Sequence, residues 1–268
     1  MENRGRYVYG VAASAKLIRL GPIGIDGSEV STIPYGGFCA IVHSCPAEPY
    51  QSDDQETVGR WVKAHQGVLD AAKKQLGIVV PMGFDTILQA TDDAVSADQV
   101  VKNWLKEDSG RLESVVAKIE GKDEYGVQIS YAPGVVAKHI SEESPGIREI
   151  REDLASKSPG VAYLYKQKLE RAVKAEIERL ASDWFSDFYT KVKRHCDDVV
   201  VEKTKKADAN GVMLLNLSCL VAAEEVSNLG EELEKISRME GFSVHFSGPW
   251  PPYSFVAKPV IPIEREVN

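Results

Sequence analysis

The residues GFSVHFSGPWPPYSF, 241–255, hold a strand and its terminator in one run. Phe242, Val244 and Phe246 alternate with polar residues, the period of a β-strand that turns one face to a core. Gly248 is placed to end that strand, because glycine takes a positive φ without steric cost. Pro249, Pro251 and Pro252 fix their own φ and push the residues before them towards extended geometry, so Trp250 is expected in a stiff, polyproline-like segment. A large aromatic with little entropy left to lose suits docking, inside the protein or on a partner. The segment supplies no nucleophile, base or metal ligand, and it reads as a clasp. Its candidate partner-binding residues are Gly248, Pro249, Trp250, Pro251, Pro252 and Tyr253. The competing reading buries Trp250, Tyr253 and Phe255 against the other domain.

Working back from this stretch, residues 223–239 predict a helix that Gly241 caps. Residues 197–203 and 212–221 predict two strands joined by a turn around Asn210-Gly211. Ser158-Pro159 opens the longest helix, with Leu169, Val173, Ile177, Leu180, Trp184, Phe188 and Val192 stepping by three or four down one side. About 35 residues at 1.5 Å each reach about 50 Å, enough to span two units. The order α-β-β-α-β is the larger part of a ferredoxin-like unit. The tail KPVIPIEREVN is expected to be extended, its prolines barring it from a central strand.

Towards the N-terminus, residues 7–13 and 37–44 predict strands, separated by a Gly/Pro-rich loop with a short edge strand. A helix over 55–76 is signalled by Asp53 and Glu56 as a capping box and by Gly77 as its stop, with Val58, Trp61, Val62, His65, Val68, Leu69, Ala72 and Leu76 on one face. Ile78–Val80 predicts a short strand. A second helix runs from 97 towards 118 with a weak point at Ser109-Gly110, and residues 124–131 predict the last strand of this unit. The order β-β-α-β-α-β suggests an open sandwich with helices on one face of a mixed sheet.

Charge and composition exclude whole classes. The chain has 268 residues, 43% of them hydrophobic and 27% charged, as befits a soluble globular protein with a real core. A net charge of −8 repels phosphate backbones, which argues against nucleic acid as a partner. No apolar run approaches the roughly 20 residues that span a bilayer, and the N-terminal sequence lacks the apolar core of a signal peptide. Four cysteines without a CxxC pair suit a reducing cytoplasm.

Clusters with chemical potential have simpler explanations. His43-Ser44-Cys45, with Cys39 nearby and His195-Cys196 far off, lacks the spacing of a four-ligand zinc site. Nothing marks one of the cysteines as a nucleophile. Glu170, Glu176, Glu178, Asp183 and Asp187 sit beside Lys and Arg on the solvent side of the long helix. There is no phosphate-binding GxxxxGK[ST] loop. Neither a cofactor, a metal nor a catalytic residue is expected, and the protein reads as a non-enzyme.

GPWPPYSF after such a strand resembles the C-terminal motif of the GvpL/GvpF family of gas vesicle proteins. RYVYGV (6–11), VPMGFDTIL (80–88), AYLYKQKLE (162–170) and VMLLNLSCLV (212–221) fall in the same order as in that family. Relatives read closer to P-x-R-F-G-T at the second of these places, where this chain has Gly83 for the arginine and Asp85 for the glycine. The resemblance implies a cytoplasmic, gas-vesicle-associated accessory protein. It would bind the hydrophobic GvpA-type shell protein, and other accessory gas vesicle proteins, as a chaperone-like factor or a minor vesicle component. The rival class is a small-molecule enzyme or sensor with a ferredoxin-like cleft; a deep polar pocket would favour it. The expected fold is α+β in two domains joined through the long helix. They are an N-terminal domain at 1–134, a partly helical connector at 135–158 and a modified ferredoxin-like domain with its tail at 159–268.

Overall fold

The computed structural model describes residues 5–90, 94–204 and 211–256. The chain divides into two compact units, residues 1–122 with 250–268, and residues 123–249.

The first unit contains β1 (Gly5–Ala12), β2 (Arg19–Gly21), β3 (Val30–Tyr35), β4 (Phe38–Cys45), α1 (Gln55–Leu76), β5 (Val79–Pro81), β6 (Ile87–Gln89), α2 (Ala97–Glu107) and α3 (Ser109–Ile119). Its sheet runs β2-β3-β4-β1-β5, with β6 also on β1. The ladders β1–β4, β1–β5, β1–β6, β2–β3 and β3–β4 are all antiparallel, where a mixed sheet was expected.

Helices cover both faces of this sheet, which corrects the one-sided sandwich. Cys39, Ile41, Val79 and Tyr9 pack with Val68, Leu69 and Ala72 of α1, while Val8, Val42 and Val80 pack with Trp104, Leu105 and Leu112 of α2 and α3. Two apolar faces need two covers. The register of β1 against β4 shifts between Val8 and Gly10. This bulge flips the alternation, so Tyr7, Tyr9 and Ala12 share the α1 side whereas Val8 and Val11 face the other way.

Local signals hold with small shifts. α1 begins where expected, but its cap is Asp54, whose carboxylate accepts the N–H groups of Glu56 and Thr57. Gly77 ends it at φ 84°. Val62, expected on the buried face, is 49% exposed. The single helix expected from 97 to 118 breaks at Asp108 into α2 and α3, beside Ser109-Gly110.

The second unit contains β7 (Lys122–Tyr131), α4 (Pro133–Glu143), α5 (Pro145–Ser156), α6 (Pro159–Lys193), β8 (Asp198–Val201), β9 (Val212–Ala222), α7 (Val226–Ser237) and β10 (Phe242–Trp250). Its sheet order, β10-β7-β9-β8, is that of a complete β-α-β-β-α-β unit with an enlarged first helical layer. The strand assigned from sequence to the end of the N-terminal domain is therefore the missing first strand of the ferredoxin-like fold. The expected connector is α4 and α5. α6 lies wholly inside this unit and is not the link between domains. Leu169, Val173, Ile177, Leu180 and Trp184 pack along its core side with Phe188 and Val192 fully buried, against Leu215, Leu217 and Cys219 of β9. Phe242 and Val244 join this core as expected, but Phe246 is 38% exposed and stacks on Tyr125 at 5.2 Å. Most of the expected turn at 210–211 and all of the tail at 258–268 lie outside the described residues.

Gly10 shows how tightly the bulge is packed: a Cβ there would lie 2.8 Å from the Val80 carbonyl oxygen and 2.9 Å from Leu69 Cδ2. Gly10→Ala is expected to cost about 1–3 kcal/mol, as overpacking does. Chemical denaturation checks this, and an unchanged midpoint would refute the packing.

Candidate binding site at a tyrosine–histidine cluster

β5 and β6 are two halves of one partner strand for β1. Pro81 pairs with Gly10 and Ile87 with Tyr7, so residues 82–86 have no matching positions and leave the ladder as a loop. The loop is pinned at its ends by Met82 N–H to the Tyr9 carbonyl, 2.9 Å, and Val8 N–H to the Thr86 carbonyl, 2.8 Å. Asp85 sits in the loop at φ 66°, a left-handed conformation that glycine takes freely and that aspartate tolerates. This explains how aspartate stands where the family pattern has glycine. Its carboxylate also accepts the Tyr50 N–H at 3.0 Å. At Gly83 an added Cβ would meet nothing within 4 Å, so a longer side chain has room.

Beneath the loop, the bulge directs Tyr7 and Tyr9 into a layer of rings. Tyr7 Oη lies 2.8 Å from His65 Nδ1 and accepts the Asp85 N–H at 3.1 Å. Tyr9 Oη lies 2.8 Å from His43 Nδ1 and accepts the Ile25 N–H at 2.9 Å. Each hydroxyl accepts from a backbone amide and so gives its proton to the histidine. Both Nδ1 atoms are thus acceptors, and both Nε2 atoms carry the hydrogen. His43 Nε2 donates to Tyr50 Oη at 3.0 Å. His65 Nε2 is buried with no hydrogen bond of normal geometry, although the Met82 backbone acts on it from nearby. Burial holds both imidazoles neutral, pushing His43 and His65 down to about 4. It raises the Tyr7 and Tyr9 phenols and brings Tyr50 to about 12. The two phenols keep their protons, the two imidazoles stay neutral, and all four groups are held in hydrogen bonds. Both His43 nitrogens are occupied by tyrosines, so the His43-Ser44-Cys45 run has no imidazole to offer a metal.

The C-terminal segment completes the cluster. Gly248, at φ 128°, and Pro249 end the second unit, and Trp250–Val256 belong to the first. Trp250 is the last residue of β10 and not part of a polyproline run. Pro252 is buried, and a single turn over Tyr253–Phe255 follows, with Tyr253 N–H on the Pro251 carbonyl at 2.8 Å. Phe255 is buried with the Lys118 ammonium 5.4 Å from its ring centre, and Val256 packs against the α2–α3 side of the core. Tyr253 lies over His65, ring centres 6.5 Å apart, and Phe84 lies on the same imidazole at 6.0 Å. Tyr253 is 36% exposed and Phe84 37% exposed, with Trp250 at 47%. Of the residues expected to bind a partner, Tyr253 is thus brought to the His65 ring that Phe84 also meets, Pro252 is withdrawn into the fold, and Gly248 and Pro249 fall in the other unit. Phe84 was missed because it precedes a residue whose φ breaks the strand pattern. Its place inside a shared family motif was the available signal.

A polar pocket of about 470 Å³ also opens in the first unit, lined by Arg6, Arg19, Glu29, Thr32, Ser44 and Asp98. Arg6 Nε donates to Asp98 at 2.7 Å across it. Among the described residues no helix is long and apolar enough to cross a membrane.

The profile of the family described as "Gas vesicle synthesis protein GvpL/GvpF" matches residues 5–257. Gas vesicle protein L1 of Halobacterium salinarum is 27% identical over 266 residues, covering 94% of this chain and 90% of that protein. Gas vesicle protein F1 of the same organism is 23% identical, covering 93% and 92%. The crystal structure of gas vesicle protein GvpF from Anabaena sp. PCC7120 superposes with a TM-score of 0.73 at 17% identity, covering 95% of this chain and 98% of that one. GvpF from Microcystis aeruginosa gives 0.64 at 17% identity, covering 95% and 99%.

The neutral histidines fix a pH dependence. Their folded pKa lies below the ordinary 6.5, so the unfolded chain binds more protons between about 4 and 6.5, and stability falls as pH falls through that window. At pH 4 each should have removed about 3 kcal/mol. Denaturation midpoints from pH 7.5 to 4 check this; His65→Gln should flatten the slope, and a wild-type curve flat above pH 4.5 would refute it.

Proposed function

The chain belongs to the GvpL/GvpF family of gas vesicle synthesis proteins, and from that membership we propose that it binds the hydrophobic GvpA-type shell protein during vesicle assembly. The observation that carries this reading is the pairing of Phe84 and Tyr253 over His65. Two segments far apart in sequence each place an aromatic ring, more than a third exposed, against the buried His65 imidazole. Aromatic anchors held in one conformation lose little entropy on docking and dominate interface energies. A shell subunit that self-associates through apolar surfaces needs such cover before assembly.

In this reading Trp250 and the exposed side of the clasp extend the patch, and other accessory gas vesicle proteins compete for it or join it. The protein works in the cytoplasm and on the vesicle, as a chaperone-like factor or a minor component, and makes or breaks no bond. Release is driven by assembly. The polar pocket favours the alternative, a small-molecule enzyme or sensor. Against that, its Arg6 and Asp98 already answer each other, which leaves less charge to direct at a ligand.

Co-expression with the shell protein tests the proposal. Phe84→Ala with Tyr253→Ala should lower recovered shell protein about tenfold or more, the loss of two aromatic anchors. The Arg6→Ala, Asp98→Ala pair should leave it unchanged. Full recovery with a folded Phe84/Tyr253 variant would dismiss the patch, and loss only with the pocket variant would favour the alternative.

A further inference from the structure

The start of α6 turns apolar side chains outward. Val161 is exposed, and Tyr163 and Leu164 are 65% and 62% exposed. At 3.6 residues per turn, Val161, Leu164, Lys168 and Arg171, spaced three, four and three, fall on one face. That face is turned away from Leu169 and Val173, which pack on the core of the second unit. Charge distinguishes these first turns from the rest of the helix. Lys174 pairs with Glu178, Arg179 with Glu176 and Asp183, Lys191 with Asp187, and Lys193 with Asp198. Lys166, Lys168 and Arg171 are exposed and have no carboxylate partner among the described residues; Lys168 lies 5.7 Å from the Tyr165 ring centre. Glu170, the one carboxylate between Pro159 and Lys174, lines a groove beside Leu169 and Val173 on the other side. We propose that the outer face of α6, from Val161 to Arg171, docks an amphipathic helix of a partner protein. Apolar residues of that helix meet Val161 and Leu164, and its carboxylates meet Lys168 and Arg171.

Complementary charge decides the occupant. The chain has a net charge of −8, so an acidic helix is repelled by most of the molecule and attracted where cations stand unanswered. No carboxylate lies three or four residues from Lys168 or Arg171 in either direction. Lys168 and Arg171 stand three apart, as do Arg171 and Lys174, and like charges at that spacing destabilise a helix. A partner carboxylate set between Lys168 and Arg171 replaces that repulsion with two attractions. Val161 and Leu164 continue the same stripe and supply the apolar knobs of a helix–helix seam. An anionic bilayer is the poorer fit. An interfacial helix sets its cations along the flanks of its apolar face, whereas here they follow the apolar residues along the axis. The face shares no residue with the Phe84 and Tyr253 patch, so it does not rest on that reading.

The test uses the full-length protein and labelled, alanine-based helical peptides of about 20 residues. One carries Leu at i and i+3 and Glu at i+7 and i+10, a second carries the same set in reverse order, and controls have Lys in place of Glu. Fluorescence anisotropy should show binding of a Leu/Glu peptide that weakens as salt is raised, and no binding of the Lys controls. Leu164→Ala should weaken binding about tenfold. Lys168→Glu with Arg171→Glu should weaken it about tenfold or more and gain a Lys control instead. All three positions are exposed, and an unchanged thermal melt shows that each variant is folded. No binding of either Leu/Glu peptide, equal binding by the folded variants, or a wild-type preference for a Lys control would overturn the proposal. So would a preference of this face for phosphatidylserine vesicles over the peptides, or a dimer in sedimentation that Leu164→Ala dissolves.

Discussion

Two tyrosine hydroxyls carried into a closed sheet face must be given partners, because a buried polar group without one costs about 1–3 kcal/mol. Tyr7 and Tyr9 have no exposed surface. Each solves the problem the same way, accepting a hydrogen bond from a backbone amide and donating one to an imidazole. The consequences spread through the first unit. His65 fixes the position of α1, His43 that of Tyr50, and the Asp85 amide that of the loop between β5 and β6. The Ile25 amide ties the turn before β3. A few hydrogen bonds thereby set the relative positions of five chain segments.

This arrangement commits its polar groups to holding the fold. A catalytic histidine needs a free lone pair or a transferable proton near a substrate. Here the Nδ1 atoms are committed, and the rings carry Phe84 and Tyr253 on their outer side. On this network the rings of Phe84 and Tyr253 are each more than a third exposed.

Several features could be read from residues alone because their causes are local. The α1 boundaries follow from its polar cap and Gly77, and the long period of α6 follows from Leu169 to Val192. Residues 135–158, expected to be partly helical, hold most of α4 and all of α5, broken at Ser144, and their short apolar contacts acquire meaning only against α6. The break at Asp108 was foreshadowed by Ser109-Gly110. The placement of β7 was not legible: a strand of alternating apolar residues fits any sheet with an open position, and nothing local says that residues 124–131 pair with strands more than 80 positions later.

The sequence by itself determined the family, through motifs in a common order, and the segments that become helix or strand, through periodicity and caps acting over a few residues. The tertiary structure alone decided which sheet each strand entered, that helices cover both faces of the first sheet, and that Tyr7, Phe84 and Tyr253 share one histidine. Those outcomes depend on contacts between distant residues and on a one-residue bulge that reverses which face a side chain meets, and the periodicity of a single strand does not encode either.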